Sequence, residues 1–168
     1  MKHPKDVIGS NPQTEAYSCV PWATEIVLLT FEKQLPNPSI QKQTPFGWRE
    51  AVDILARNGI KATDKNYRDD FGGFERDALA CIRAGAYPAV MLTSGLYYSL
   101  RAKDFIVTTH AYIAYEEKGE LAFLTYEGNS MLRLTVQEFE KVRYEWSGVL
   151  AKLSVRNPPG LHTLIPIA

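Results

Sequence analysis

Two β-type segments joined by a tight turn constrain the fold of this chain more than any other feature of its sequence. DFIVTTHAYIAYEE and ELAFLTYE are rich in β-branched and aromatic residues, which favour strands. Lys118-Gly119 lies between them and is typical of a two-residue hairpin turn. Because the turn sets the register of a hairpin, this turn predicts that His110 lies directly across from Glu127.

Helical patterns precede the hairpin. From Val20 to about Lys33, apolar residues recur at helical spacing, and Pro21 fits only in the first turn of a helix, so this helix is predicted to begin almost at Cys19. A second helix is predicted to end at Asn58-Gly59, and a third to run from about Phe74 to Ala84. Helices followed by a mostly antiparallel sheet predict an α+β fold.

Further patterns lie on either side of the hairpin. YPAVMLTS predicts a buried strand before it, and SGVLAKLSV predicts a last strand near the C-terminus. Thr135 and Glu138 have the spacing of a capping box, which predicts a short helix over VQEFEKV.

Length and the two chain ends indicate one domain over residues 1–168. This length is enough to bury a single sizeable core, and the sequence has no internal repeat. Residues 1–12 contain two prolines and a glycine and are predicted to be an extended lead-in. Residues 156–168 are predicted to be an irregular tail.

Charge and composition argue against several classes of function. The 19 basic and 19 acidic residues give zero formal net charge, so no nucleic-acid partner is expected. The longest apolar runs are far shorter than the roughly 20 residues of a membrane helix, so no membrane insertion is expected. No secretory signal is visible, which predicts a cytoplasmic location or export by a signal-peptide-independent route. The cysteines and histidines lack paired metal-ligand spacing, and we expect no metal or cofactor.

Cys19 is the candidate nucleophile because a helix N-terminus and a nearby imidazolium both favour the thiolate over the thiol. Of the three histidines, His3 lies in the lead-in and His162 in the tail, whereas His110 lies within a predicted strand. Strand alternation places His110 on one face with Tyr112. The alternatives are that Cys19 is a structural thiol and that His110 is a structural core histidine.

A third side chain would complete a triad by orienting the histidine. Glu127, directly across the hairpin, would have its Cβ atom about 5 Å from that of His110. Asn129 lies two residues further on and is the alternative, because it could reach His110 diagonally. A ring held at one nitrogen presents the other to the thiol.

These residues resemble the papain-like cysteine peptidases. Papain-type enzymes place an oxyanion-hole glutamine and the nucleophile as Q-x5-C, which is the spacing from Gln13 to Cys19. HAYIAY at His110 is similar to the family's histidine segment, and Asn129-Ser130 is similar to its Asn-Ser. The resemblance is closest to the peptidases that process bacteriocin leaders, the double-glycine peptidase-like family, which share Cys-x-Pro. This chain lacks their Asp-Cys-Gly and has Glu127 where they have Asp.

The resemblance implies a papain-like fold with the nucleophile at a helix start. It also implies a cysteine peptidase or amide hydrolase that acts on a peptide or protein through a thioester. In this interpretation the Gln13 amide and the Cys19 N–H stabilise the oxyanion, and Tyr17 and Trp22 are candidates for the substrate cleft. Two alternatives stay open: acyl transfer or deamidation at the same site, and a non-catalytic peptide-binding domain of this fold. Cys81 is expected to be a small core residue.

Overall fold

A computed structural model describes residues 1–14, 18–42, 46–93, 109–127, 130–143 and 160–168. These residues contain a six-stranded antiparallel sheet in the order β1-β6-β2-β3-β4-β5. The strands are β1 (Ala62–Asn66), β2 (Ala89–Thr93), β3 (Thr109–Glu117), β4 (Glu120–Glu127), β5 (Ser130–Thr135) and β6 (His162–Pro166). The helices are α1 (Pro4–Ile8), α2 (Cys19–Thr30), α3 (Trp48–Arg57), α4 (Phe71–Arg83), a 3-10 turn (Ile40–Lys42) and a helix at residues 136–143. The predicted α+β class is confirmed.

Helices cover both faces of the sheet, so the central strands are buried on both sides. Ala111 and Ile113 of β3 pack in one apolar cluster with α1, α2 and α3. Tyr112 and Ala114 pack in a second cluster, with α4 and with Phe139 of the helix at residues 136–143. Successive side chains of a strand point to opposite faces, which is why the two clusters alternate along β3.

The hairpin forms at the predicted turn. Lys118 and Gly119 both have positive φ, 52° and 81°, as the favoured two-residue hairpin turn requires. The predicted register holds over the paired stretch, which ends at Ile113 opposite Leu124. Beyond that pair, the Thr125 side chain on β4 is hydrogen-bonded to His110 and to the Ala111 carbonyl on β3.

Two of the helix starts follow local side-chain capping. At α2, the N-cap Ser18 makes no capping hydrogen bond with its side chain, and Cys19 is the first helical residue, in agreement with the prediction from Pro21. The helix α4 begins earlier than predicted because the Asp70 carboxylate accepts a hydrogen bond from the Gly73 N–H, at 2.9 Å. The predicted capping box of the helix at residues 136–143 is present, with both of its hydrogen bonds at 3.1 Å.

Two predictions for the chain ends are wrong. The lead-in is not wholly extended, because residues 4–8 form α1 and bury Val7 and Ile8. The tail is not irregular throughout, because β6 lies inside the sheet between β1 and β2. Both pairing partners of β6 are distant in sequence, so no local pattern marks it as a strand.

Besides β6, two further strands were not predicted, and they are the edges of the sheet. The strand β1 is mostly exposed and polar, so it lacks the alternation that marks a half-buried strand. Half of the β5 residues are also exposed. The predicted strand SGVLAKLSV lies outside the described residues. Within the described part of the chain, no helix has the length and apolar character to cross a membrane.

Candidate functional site

Cys19 lies half-buried at the start of α2, where its thiol meets the backbone of β3. Burial raises the pKa of the Cys19 thiol, while hydrogen bonds from the backbone of Ala111, of Val20 and of Cys19 itself oppose the rise. The thiol is therefore protonated at neutral pH. Desolvation outweighs the stabilisation of the thiolate that a helix N-terminus was expected to provide.

His110 is buried, with 4% of its surface exposed, and its ring lies on the side of β3 that carries Tyr112. Its Nε2 atom lies 2.7 Å from the Thr125 hydroxyl oxygen. Burial lowers the pKa of His110 from 6.5 to about 4, and a hydrogen bond with the backbone of Tyr126 partly opposes this. The ring is therefore neutral at neutral pH.

Thr125 is hydrogen-bonded to both His110 and the backbone of Ala111. Its hydroxyl oxygen lies 2.8 Å from the carbonyl oxygen of Ala111, which can only accept a hydrogen bond. The hydroxyl proton satisfies that carbonyl, so the hydroxyl oxygen is left to accept from His110. The Thr125 contact by itself favours a neutral ring that carries its proton on Nε2, while the hydrogen bond with the Tyr126 backbone, which raises the pKa of His110, favours the protonated ring.

Cys19 and His110 meet β3 at neighbouring positions but on different sides. The Cys19 thiol contacts the backbone of Ala111 and packs with the cluster on α2. The ring of His110 makes its hydrogen bonds with Thr125 and Tyr126, at the face that carries the α4 cluster. The two predicted residues therefore meet the same part of β3, but the ring contacts Thr125 rather than the thiol.

Gln13 lies beside the start of α2 and is half-buried, with its Oε1 atom fully buried. Its two neighbours in the chain are both hydrogen-bonded to Gln41, through the Pro12 carbonyl and the Thr14 N–H. The Gln41 side chain, from a distant part of the sequence, thus fixes the position of the backbone at Gln13.

The remaining predicted site residues divide into two groups. Trp22 is fully buried, and its indole N–H donates to the carbonyl of Asn11 at 2.8 Å, so Trp22 is a core residue and does not line an open cleft. The residues Tyr17 and Asn129 and the side chain of Glu127 lie outside the described residues. The identity of the third triad member therefore stays a prediction.

Cys81 is buried and donates from its thiol to the carbonyl of Pro166 at 3.3 Å. Burial raises the pKa of the Cys81 thiol to about 12. Both features are those of the small core residue that was expected.

Sequence reasoning missed two residues of this site, Thr125 and Gln41. Thr125 lies on the strand opposite His110, and the predicted register would have placed it near the ring had threonine been considered as a partner. Gln41 has no local signal, because it lies in a proline-rich loop and its partners come from distant segments.

Acidification is expected to destabilise the fold through His110. An unfolded chain protonates this ring near pH 6.5, whereas the folded protein does so only near pH 4. The stabilisation of the fold by the neutral His110 ring is therefore fully present above pH 6.5 and is lost as the pH falls towards 4. The free energy of unfolding should fall by about 3 kcal/mol over this range. Denaturant titrations at both ends of this range measure the loss. His110→Gln should remove that part of the pH dependence, and an unchanged pH dependence in His110→Gln would contradict the assignment.

Thr125→Val is expected to lower the unfolding free energy by about 1–3 kcal/mol, because it leaves the Nε2–H of His110 and the Ala111 carbonyl buried without their partner. Thr125→Ser keeps the hydroxyl, so its unfolding free energy should fall by less than that of Thr125→Val. Thr24→Val is a matched control, because the buried Thr24 hydroxyl bonds only to a carbonyl of its own helix. Denaturant melts of the three variants test this, and equal losses in Thr125→Val and Thr24→Val would contradict it.

No protein-family model matches this chain, and no curated protein is significantly similar to it. Among the described residues, no three His, Cys, Asp or Glu side chains are grouped as metal ligands. A functional assignment therefore depends on the geometry around Cys19, His110 and Gln13.

Proposed function

We propose that this protein is a papain-like thiol hydrolase that cleaves amide bonds in a peptide or protein, with Cys19 as the nucleophile. The observation that supports this most is the position of Cys19. It is the first residue of α2, and its thiol contacts the backbone of Ala111, the neighbour of His110. A helix N-terminus stabilises negative charge on a sulfur as that charge develops.

In the proposed reaction, the Cys19 thiol gives its proton to a ring nitrogen of His110 while the sulfur attacks the amide carbon. The Cys19 N–H and the Gln13 side-chain amide stabilise the oxyanion. The intermediate collapses to a thioester, and the proton passes from His110 to the leaving amine. Water then attacks the thioester, giving one proton to His110, and the products are a carboxylic acid and the regenerated thiol.

Before reaction, both catalytic groups are neutral, because burial raises the pKa of Cys19 and lowers that of His110. Proton transfer requires the His110 ring to leave Thr125 and to reach the side of β3 that the thiol contacts, so the strand must rearrange at His110 as well as the side chain. Glu127 or Asn129 would then orient the ring, as the family resemblance implies. Comparison of Glu127→Gln with Asn129→Ala identifies that residue, since only one of them should cause a large loss of activity.

An activated ester tests the proposal directly. The protein is mixed with p-nitrophenyl acetate, release of nitrophenolate is followed by absorbance, and the acetylated residue is located by peptide mass spectrometry. We expect an acetyl thioester on Cys19 and turnover beyond one equivalent. Acetylation of Cys19 no faster than that of free cysteine, without turnover, would contradict the proposal.

A second candidate function is non-catalytic peptide binding. The contacts of His110, which do not include the Cys19 thiol, favour it. The ring is held by Thr125, and a thiol with a raised pKa is a weak nucleophile. Ester turnover separates the two, because a catalytic Cys19 should release more than one equivalent of nitrophenolate, whereas a peptide-binding domain should show no turnover. Acyl transfer and deamidation share the acyl-enzyme and differ from hydrolysis only in their products, which mass spectrometry resolves.

A further inference from the structure

Gln41 and Glu25 form a buried polar pair beneath the segment that carries Gln13. Gln41 is 5% exposed and Glu25 is 3% exposed. The Gln41 amide nitrogen donates to one carboxylate oxygen of Glu25 at 3.0 Å, and the Ser39 hydroxyl donates to the other at 2.5 Å. Because a carboxylate only accepts hydrogen bonds, Glu25 fixes which end of the Gln41 amide is the nitrogen.

The remaining hydrogen bonds of Gln41 hold the chain on both sides of Gln13. Its amide nitrogen donates to the carbonyl of Pro12 at 3.3 Å, and its oxygen accepts from the N–H of Thr14 at 2.9 Å. The same oxygen accepts from the hydroxyl of Ser18, the N-cap of α2, at 3.3 Å. One side chain therefore links the Gln13 segment to the residue that precedes Cys19.

We propose that Gln41 is a positioning residue that holds the Gln13 amide where it can donate to the oxyanion formed when Cys19 attacks. This rests on the proposed function, in which Gln13 donates to the oxyanion. A donor of this kind is effective only when it is placed in advance, and a displacement of about 1 Å can cost about 10² in rate. Gln41 sets that placement through main-chain contacts, without touching substrate.

Two reactions of the Cys19 sulfur distinguish a positioning role of Gln41 from a general disturbance of the structure. Acylation by p-nitrophenyl acetate passes through an oxyanion, whereas alkylation by iodoacetamide displaces iodide at a saturated carbon and forms none. Gln41→Met keeps the length of the side chain and removes its hydrogen bonds. We expect Gln41→Met to slow acylation of Cys19 by about 10² while the alkylation rate stays within about threefold.

Gln13→Ala provides the reference for this loss. If Gln41 acts only through Gln13, the double variant Gln13→Ala/Gln41→Met should acylate no more slowly than Gln13→Ala alone. Gln41→Asn is a second variant that keeps a polar amide but is one methylene too short, and it should also slow acylation selectively. It serves as the test if Gln41→Met does not fold.

The outcomes distinguish this inference from the proposed function. Absence of Cys19 acylation in the unchanged protein would contradict both. Normal acylation in the unchanged protein and in the Gln41 variants would contradict the role of Gln41 alone. Additive losses in the double variant, or equal losses in acylation and alkylation, would also contradict it, because they indicate a general disturbance of the site.

Discussion

Cys19→Ala is expected to abolish hydrolysis, with a loss of about 10⁴-fold or more, because no other group in the proposed site forms the thioester. Ester turnover and thioester formation, measured by absorbance and mass spectrometry, test this prediction. The fold should persist, since the Cys19 side chain is only half-buried and its replacement keeps the start of α2 helical.

Cys81→Ala is the matched control for the nucleophile. This thiol is buried and bonds to the carbonyl of Pro166, so its loss should reduce stability modestly and leave turnover nearly unchanged. The prediction fails if Cys19→Ala keeps turnover within about tenfold of the unchanged protein, or if Cys81→Ala loses turnover while remaining folded.

His110→Gln is expected to lower kcat/KM by about 10³-fold or more. Glutamine can hydrogen-bond to Thr125 in place of the ring, but it cannot take up the thiol proton or return it to the leaving amine. Steady-state kinetics measure the loss, and circular dichroism confirms that the variant is folded.

His162→Gln is the matched control for the base. His162 lies on β6, which β2 separates from β3, and its Nε2 atom lies 3.2 Å from a carboxylate oxygen of Asp64, so we expect this change to leave turnover intact. If His110→Gln retained full turnover, His110 would be a structural histidine whose role is its bond to Thr125.

Much of the local structure was predictable because it depends on neighbours in the chain. The Lys118-Gly119 turn, the start of α2 at Cys19 and the capping box of Thr135 and Glu138 all follow from short-range backbone geometry. The alternation that places His110 with Tyr112 is likewise a property of any strand.

The exposed edge strands and β6 were not predictable in the same way. The strand β6 forms only because β1 and β2 provide pairing partners from distant parts of the chain. The edge strand β1 is stabilised as a strand by its pairing with β6 rather than by burial of an apolar face. Such strands depend on tertiary hydrogen bonding, which a local pattern does not encode.

The sequence by itself determined where the candidate nucleophile and base lie along the chain, and on which kind of element each is placed. Tertiary structure decided the rest: the helix layer that faces each side of β3, the bond of His110 to Thr125, and the contacts of Gln41 with the Gln13 segment. It also decided the protonation of both groups, because burial raises the pKa of Cys19 and lowers that of His110. The physical reason is that turns and caps are made by neighbouring residues, whereas burial and side-chain partners are made by segments that meet only when the chain is folded.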